Sequence, residues 1–169
     1  MCMALAKRLR AALLADRMRD EPREWVRGEF VISTDRARLD LDAVHQYIST
    51  SYWAAGMPRE VLERAVENSL IFGIYDGSRQ AGFARVITDL ATYAYLSDVF
   101  VIEGYRGRGL SKWLMECVLA HPDLQGLRRF ALFTRDAQGL YERYGFAPPR
   151  GASTYMERST PNVYAAPAS

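Results

Sequence analysis

Two hydrophobic rhythms divide this chain. Leu41, Val44, Ile48 and Tyr52 recur at helical spacing behind Asp40, a residue suited to cap a helix start. Val61, Leu62, Ala65 and Val66 do the same behind Pro58, read here as the first residue of a second helix. Apolar and β-branched runs mark strands at Glu29 to Thr34, Leu70 to Tyr75, Gln80 to Thr88, and Thr92 to Ile102. The turn Asp76-Gly77-Ser78 joins the second and third as a hairpin. After a glycine-rich break, Leu110, Trp113, Leu114, Cys117 and Val118 return to helical spacing. Leu127 to Thr134 follows as a strand, then a short helix closed by Gly145. Phe146 to Pro149 and Thr154 to Glu157 are two weak strands, the first limited to an edge by its paired prolines. Strands in direct succession ahead of a strand–helix–strand unit exclude regular βαβ alternation and indicate a mixed fold.

The break at Gly104-Tyr105-Arg106-Gly107-Arg108-Gly109 lies between a strand and a helix. Glycines permit positive φ and close backbone approach, and a helix start offers unpaired N–H groups and a positive dipole end. Phosphate binds at such places. The spacing is neither a Walker A loop nor a dinucleotide fingerprint. Arg106-Gly107-Arg108-Gly109-Leu110-Ser111 resembles the pyrophosphate loop of the GNAT N-acetyltransferases, Gln/Arg-x-x-Gly-x-Gly/Ala, with Ser111 where Gly or Ala is usual. Downstream, Ala137, Leu140-Tyr141 and Gly145-Phe146 resemble that superfamily's Ala-x-x-Leu-Tyr-x-x-x-Gly-Phe segment. The resemblance spans roughly residues 28–158.

The resemblance implies a mixed α/β fold: a splayed sheet of six or seven strands flanked by about four helices. It implies acetyl-CoA as co-substrate, with no metal. Its pyrophosphate would lie on the backbone of Arg106, Gly107, Arg108, Gly109, Leu110 and Ser111, and its pantetheine arm along Val99 and Val101. A bulge near Val99 would aim that residue's amide at the acetyl carbonyl. Thr134 stands where many members carry an Asn that binds pantetheine. Tyr141 matches the family's general acid, and Tyr144, three residues on, is the fallback. Tyr52 and Trp53, in the loop between the first two helices, and Tyr95 and Ser97 on the central strand would line the acceptor site.

The general base is the open position. Tyr95 and Ser97 occupy the sites where relatives place a carboxylate or histidine, and Asp98 is the nearest carboxylate. Strict strand alternation aims Asp98 at the opposite face unless a bulge turns it. Glu103 reads more simply as a solvated or arginine-paired charge, His45 as a surface or core histidine of the first helix, and His121 as a helix-end dipole partner.

Composition sets outer bounds. At 169 residues and 49% hydrophobic, the chain can bury a core without metal or disulfides. Its two cysteines, Cys2 and Cys117, make a poor disulfide framework and suit a cytoplasmic location. No apolar run reaches membrane-spanning length, and a net charge of +2 gives no case for nucleic acid. Residues 1–27 hold seven Lys/Arg against four acids, with Leu5, Leu9 and Leu13 as a narrow stripe. They read as a basic amphipathic extension: a packed appendage, a partner- or membrane-seeking helix, or a disordered leader. Residues 159–169 read as a loose tail. Dimers are common in the resembled family, so a homodimer is within expectation. The expected reaction is direct attack of a small-molecule or amino-acid-like amine on acetyl-CoA. The alternatives are a protein or peptide acceptor and a non-catalytic acyl-CoA-binding module.

Overall fold

In the computed structural model, residues 21–149, 151, 155–160 and 163–164 are described; the Leu5–Leu13 stripe, Cys2 and Thr154 lie outside them. Six strands form one sheet in sequence order: β1 (Glu24–Arg27), β2 (Phe30–Ser33), β3 (Leu70–Asp76), β4 (Arg79–Thr88), β5 (Tyr93–Val101) and β6 (Arg129–Leu132). Neighbours are antiparallel except β5 and β6, which run parallel and so need a crossover. Helix α3 (Leu110–Ala120) is that crossover. Helices α1 (Leu41–Ser49) and α2 (Arg59–Glu67) connect β2 to β3, and the four-residue α4 (Gln138–Tyr141) follows β6.

Helices pack on both faces of the sheet. Leu110, Trp113, Leu114, Cys117 and Val118 of α3 bury against Phe72, Ile74, Ala84, Val86 and Leu96. On the other face Val44, Ile48, Leu62 and Val66 bury against Ile71, Phe83 and Phe100. Two covered faces explain why β3 and β4 read as apolar runs rather than alternating ones. Asp40 caps α1 by accepting from Ala43 N–H at 3.0 Å. Pro58 is extended and caps α2, which begins one residue later than the sequence suggests.

Tyr52 leaves the expected helical stripe. Helix α1 ends at Ser49, where the Thr50 hydroxyl donates back to the carbonyls of Gln46 and Tyr47, so Tyr52 and Trp53 project from the following loop. Strand β1 falls within residues 1–27, which the charge pattern set apart. It pairs Arg27 with Phe30 around Gly28 (φ +60°), stacks Trp25 on Phe72 at 6.1 Å, and lays Arg27 over Trp113. At the other end, Phe146 to Pro149 and residues 155–157 form no strand, as prolines without N–H groups make poor ladder partners. Tyr164 packs against the α1–α2 cluster.

The sheet breaks its own alternation once. Phe83 pairs with Phe100 and Arg85 with Ser97, so Ala84 alone faces both Asp98 and Val99. This is a bulge in β5, and Asp98 takes the left-handed conformation (φ +54°) that Asp tolerates better than most residues. Before it, Ala94 and Leu96 face α3; beyond it, Phe100 faces α1 and α2 while Val99 and Val101 pack toward α3. Gly82, opposite Val101, lets the strands close here: a Cβ would stand 2.7 Å from the Phe100 carbonyl and 2.9 Å from Ile74 Cδ1. Gly82→Ala is therefore expected to cost about 1–3 kcal/mol in urea unfolding, an overpacking penalty. Gly139→Ala, on a helix with nothing within 4 Å, is expected to be neutral or stabilising.

Candidate active site

Beyond Val101 the chain makes a short 3-10 turn, Glu103–Tyr105, and then the glycine loop. Gly107 (φ +78°) and Gly109 (φ +75°) hold left-handed conformations, and Gly109 caps α3 without any side-chain hydrogen bond. The first-turn amides of α3 thus face outward, with the helix dipole behind them. The Arg106 amide is already engaged, donating to the Glu103 carbonyl at 3.1 Å, so the expected cradle narrows to the amides of Gly107 through Ser111. The Arg106 guanidinium donates to the Val101 carbonyl (3.2 Å) and the Tyr47 hydroxyl (3.0 Å), bridging β5 and α1 at the cleft wall. Arg108 turns away, over the Phe30 and Tyr105 rings and within 3.9 Å of Glu29.

The cleft between this loop and α4 has a volume of about 250 Å³ and is lined by Tyr47, Val99, Val101, Arg106, Leu110, Ser111, Ala137, Leu140 and Tyr141 among others. Tyr141 is 8% exposed. Burial pushes its phenol up to about 12, so it stays protonated throughout the physiological range. Tyr144 is turned elsewhere: its hydroxyl donates to the Lys112 carbonyl at 2.9 Å. The Thr134 hydroxyl accepts from Ala137 N–H at 3.0 Å, so in this structure it shapes the turn into α4.

The bulge turns Asp98 toward the α1–α2 side, the face of the Tyr52–Trp53 loop. One carboxylate oxygen accepts from Arg85 Nε at 2.7 Å, the other from Trp53 Nε1 at 3.2 Å. Arg85 and Asp98 are both buried, and the same guanidinium donates to the hydroxyls of Ser69 (3.1 Å) and Ser97 (3.4 Å). Tyr95 stands beside the pair, its phenol raised by burial and then by the Asp98 charge. His45 donates from Nε2 to the Met57 carbonyl at 2.9 Å, tying α1 to the end of the α1–α2 loop. His121 accepts from Asp123 N–H and is held neutral, its pKa lowered by burial. Arg85 and Ser69 escaped the sequence reading. The available signal was a charged residue inside the otherwise apolar Ala81–Val86 run.

A strand bulge, a glycine cradle at a helix start and a buried tyrosine thus meet around one cleft. A GNAT acetyltransferase domain model matches residues 67–148. A candidate acetyltransferase of Gibberella zeae is 32% identical, the match covering 72% of this chain and 80% of that one. A crystal structure of a GNAT-family protein from Xanthomonas campestris pv. campestris is 51% identical, with a TM-score of 0.80 over 81% of this chain and 97% of that one. The ribosomal-protein-S18-alanine N-acetyltransferase of Escherichia coli shares the fold at 23% identity (TM-score 0.58, covering 72% of this chain and 79% of that one). The chain belongs to the GNAT acetyltransferase family, whose members use acetyl-CoA as co-substrate, and it is an acyltransferase. Among the described residues no cluster of His, Cys, Asp or Glu could hold a metal ion, and no helix is long and apolar enough to cross a membrane.

The Arg85–Asp98 pair makes a stability prediction. Arg85→Met strands a buried carboxylate and is expected to cost about 3–5 kcal/mol. Adding Asp98→Asn removes that charge while tolerating the left-handed backbone, so the double variant should be more stable than Arg85→Met alone. Denaturant titration of the three proteins checks both statements.

Proposed function

We propose that the protein transfers the acetyl group of acetyl-CoA to the primary amine of a small or amino-acid-like molecule by direct attack in a ternary complex. The observation that carries this is the shared cleft: Val99 of the bulge, the glycine cradle and the protonated Tyr141 all line it. The cradle amides from Gly107 to Ser111 bind pyrophosphate, and the Val99–Val101 edge pairs with the pantetheine arm. The Val99 amide, where the bulge interrupts the ladder, donates to the acetyl oxygen as negative charge develops on it. The neutral amine forms the new N–C bond while the C–S bond breaks. Tyr141 gives its proton to the departing sulfur and is reprotonated by solvent, and the nitrogen releases one proton to water on the acceptor side. Asp98 holds the bulge and orients Trp53; with both oxygens accepting hydrogen bonds, it acts as a fixed acceptor beside the amine. Cys117 is buried on α3 with its thiol pushed up to about 12, which argues against a covalent acetyl-cysteine route.

Acetyl-CoA at about 100 times its Kd is expected to stabilise the protein by about 2.7 kcal/mol in thermal unfolding. Tyr141→Phe should keep that stabilisation while losing about 10²–10⁴-fold in kcat. Stabilisation without turnover of any amine in a broad panel would mean an acyl-CoA-binding module, and no stabilisation at millimolar acetyl-CoA would sink the donor-site reading. The wild-type pH profile should show no fall from tyrosine ionisation up to about pH 10, because the protonated, active form of Tyr141 is lost only as pH rises toward its raised pKa of about 12. A Tyr141-dependent fall near pH 9 to 10 would contradict this.

A further inference from the structure

On the Tyr52–Trp53 side of the bulge the sheet face is aromatic and, among the described residues, partly exposed. Tyr95 lies 6.0 Å from Phe133, and Phe133 lies 5.7 Å from Tyr155, ring centre to ring centre. Phe133 is 63% exposed although it follows a strand of the central sheet. Tyr52 and Trp53 meet edge-to-face at 5.0 Å, and Trp53 joins them to Asp98 of the bulge. These rings form a shelf leading to the point where the amine must arrive.

Among the described carboxylates nearby, Asp98 is paired with Arg85 and Trp53, Asp89 accepts from the amides and hydroxyl of its own turn at 91–93, and Glu157 accepts from the Tyr155 hydroxyl. The Arg135 guanidinium sits 3.6 Å from the centre of the Tyr52 ring, joined to the shelf by that stacking and by its own amide, which donates to the Tyr52 hydroxyl at 3.4 Å. Its ion pair with Asp136 at 3.4 Å is solvent-exposed on both sides and therefore weak. Arg129, paired in register with Tyr93, adds a second cation on this face. A guanidinium held by stacking in this way offers a carboxylate a charge-assisted hydrogen bond.

We propose that the acceptor is an amino acid or closely similar aminocarboxylate with an aromatic or bulky apolar side chain, its apolar group on the Tyr95–Phe133 shelf and its carboxylate on Arg135. The inference rests on the transferase reading above. Its chemistry is that reaction with the α-amino nitrogen as nucleophile: one N–C bond made, one C–S bond broken, the sulfur gaining a proton and the nitrogen losing one.

The test compares acetyl transfer to phenylalanine, phenethylamine, alanine and spermidine, which separate ring, carboxylate and second ammonium. Phenylalanine should have the highest kcat/KM, by about tenfold or more over each of the others, as a charged hydrogen bond allows. Arg135→Gln should remove that advantage over phenethylamine chiefly through KM, and Arg135→Lys should restore part of it. Equal kcat/KM for phenylalanine and phenethylamine, a preference for spermidine, or an Arg135→Gln effect equal on all four amines would overturn the inference while leaving the transferase reading intact. If no amine is acetylated although acetyl-CoA still raises the melting temperature, both fall together.

Discussion

The bulge at Asp98 and Val99 is the constraint on which the rest depends. One extra residue in β5 reverses the facing of everything after it: Leu96 packs under α3, whereas Phe100 packs under α1 and α2. A left-handed Asp98 at this point would be an unsupported distortion without its partners. The buried Arg85 guanidinium and the Trp53 indole supply them, so strand distortion, core charge and acceptor-side loop are three parts of one arrangement. The buried ion pair need not add stability over apolar residues of like size. What it defines is the register at which the strand kinks.

Around that kink the two ends of the cleft are held by different means. The glycine-loop end is backbone: positive-φ glycines and a helix start, with Ser111 in the first turn. Arg106 reinforces it from the side by fastening α1 to the end of β5. The Tyr52–Trp53 end is made of side chains on a loop and a sheet face partly exposed among the described residues, and family membership says least about it. Within one acetyltransferase family the donor is constant and the amine varies, so the variable chemistry belongs where substitution does not disturb the sheet.

Much of the fold was legible in hydrophobic spacing. The Asp40 cap, the β3–β4 hairpin, the long central strand and the amphipathic α3 are local signals, each set by residues within a few positions of one another. The glycine loop and Leu140-Tyr141 were legible for the same reason. Strand β1 was not, because Glu24–Arg27 is a short edge strand whose charged ends resemble the basic segment before it. Tyr52 continued the α1 stripe in sequence, yet the helix had already ended in hydrogen bonds from Thr50.

The sequence by itself determined most of the helices and strands, the glycine loop between strand and helix, and that Tyr141 and this loop belong to one family pattern, since all of these are carried by short-range spacing and residue type. Only the tertiary structure decided which way Asp98 points, that Arg85 and Trp53 hold it, that Tyr144 and His45 are engaged with carbonyls, that Tyr95 meets Phe133, and that Arg135 stacks on Tyr52. Those facts depend on pairing between strands far apart in the chain and on a one-residue slip between them, and a periodicity of two cannot report the residue at which it breaks.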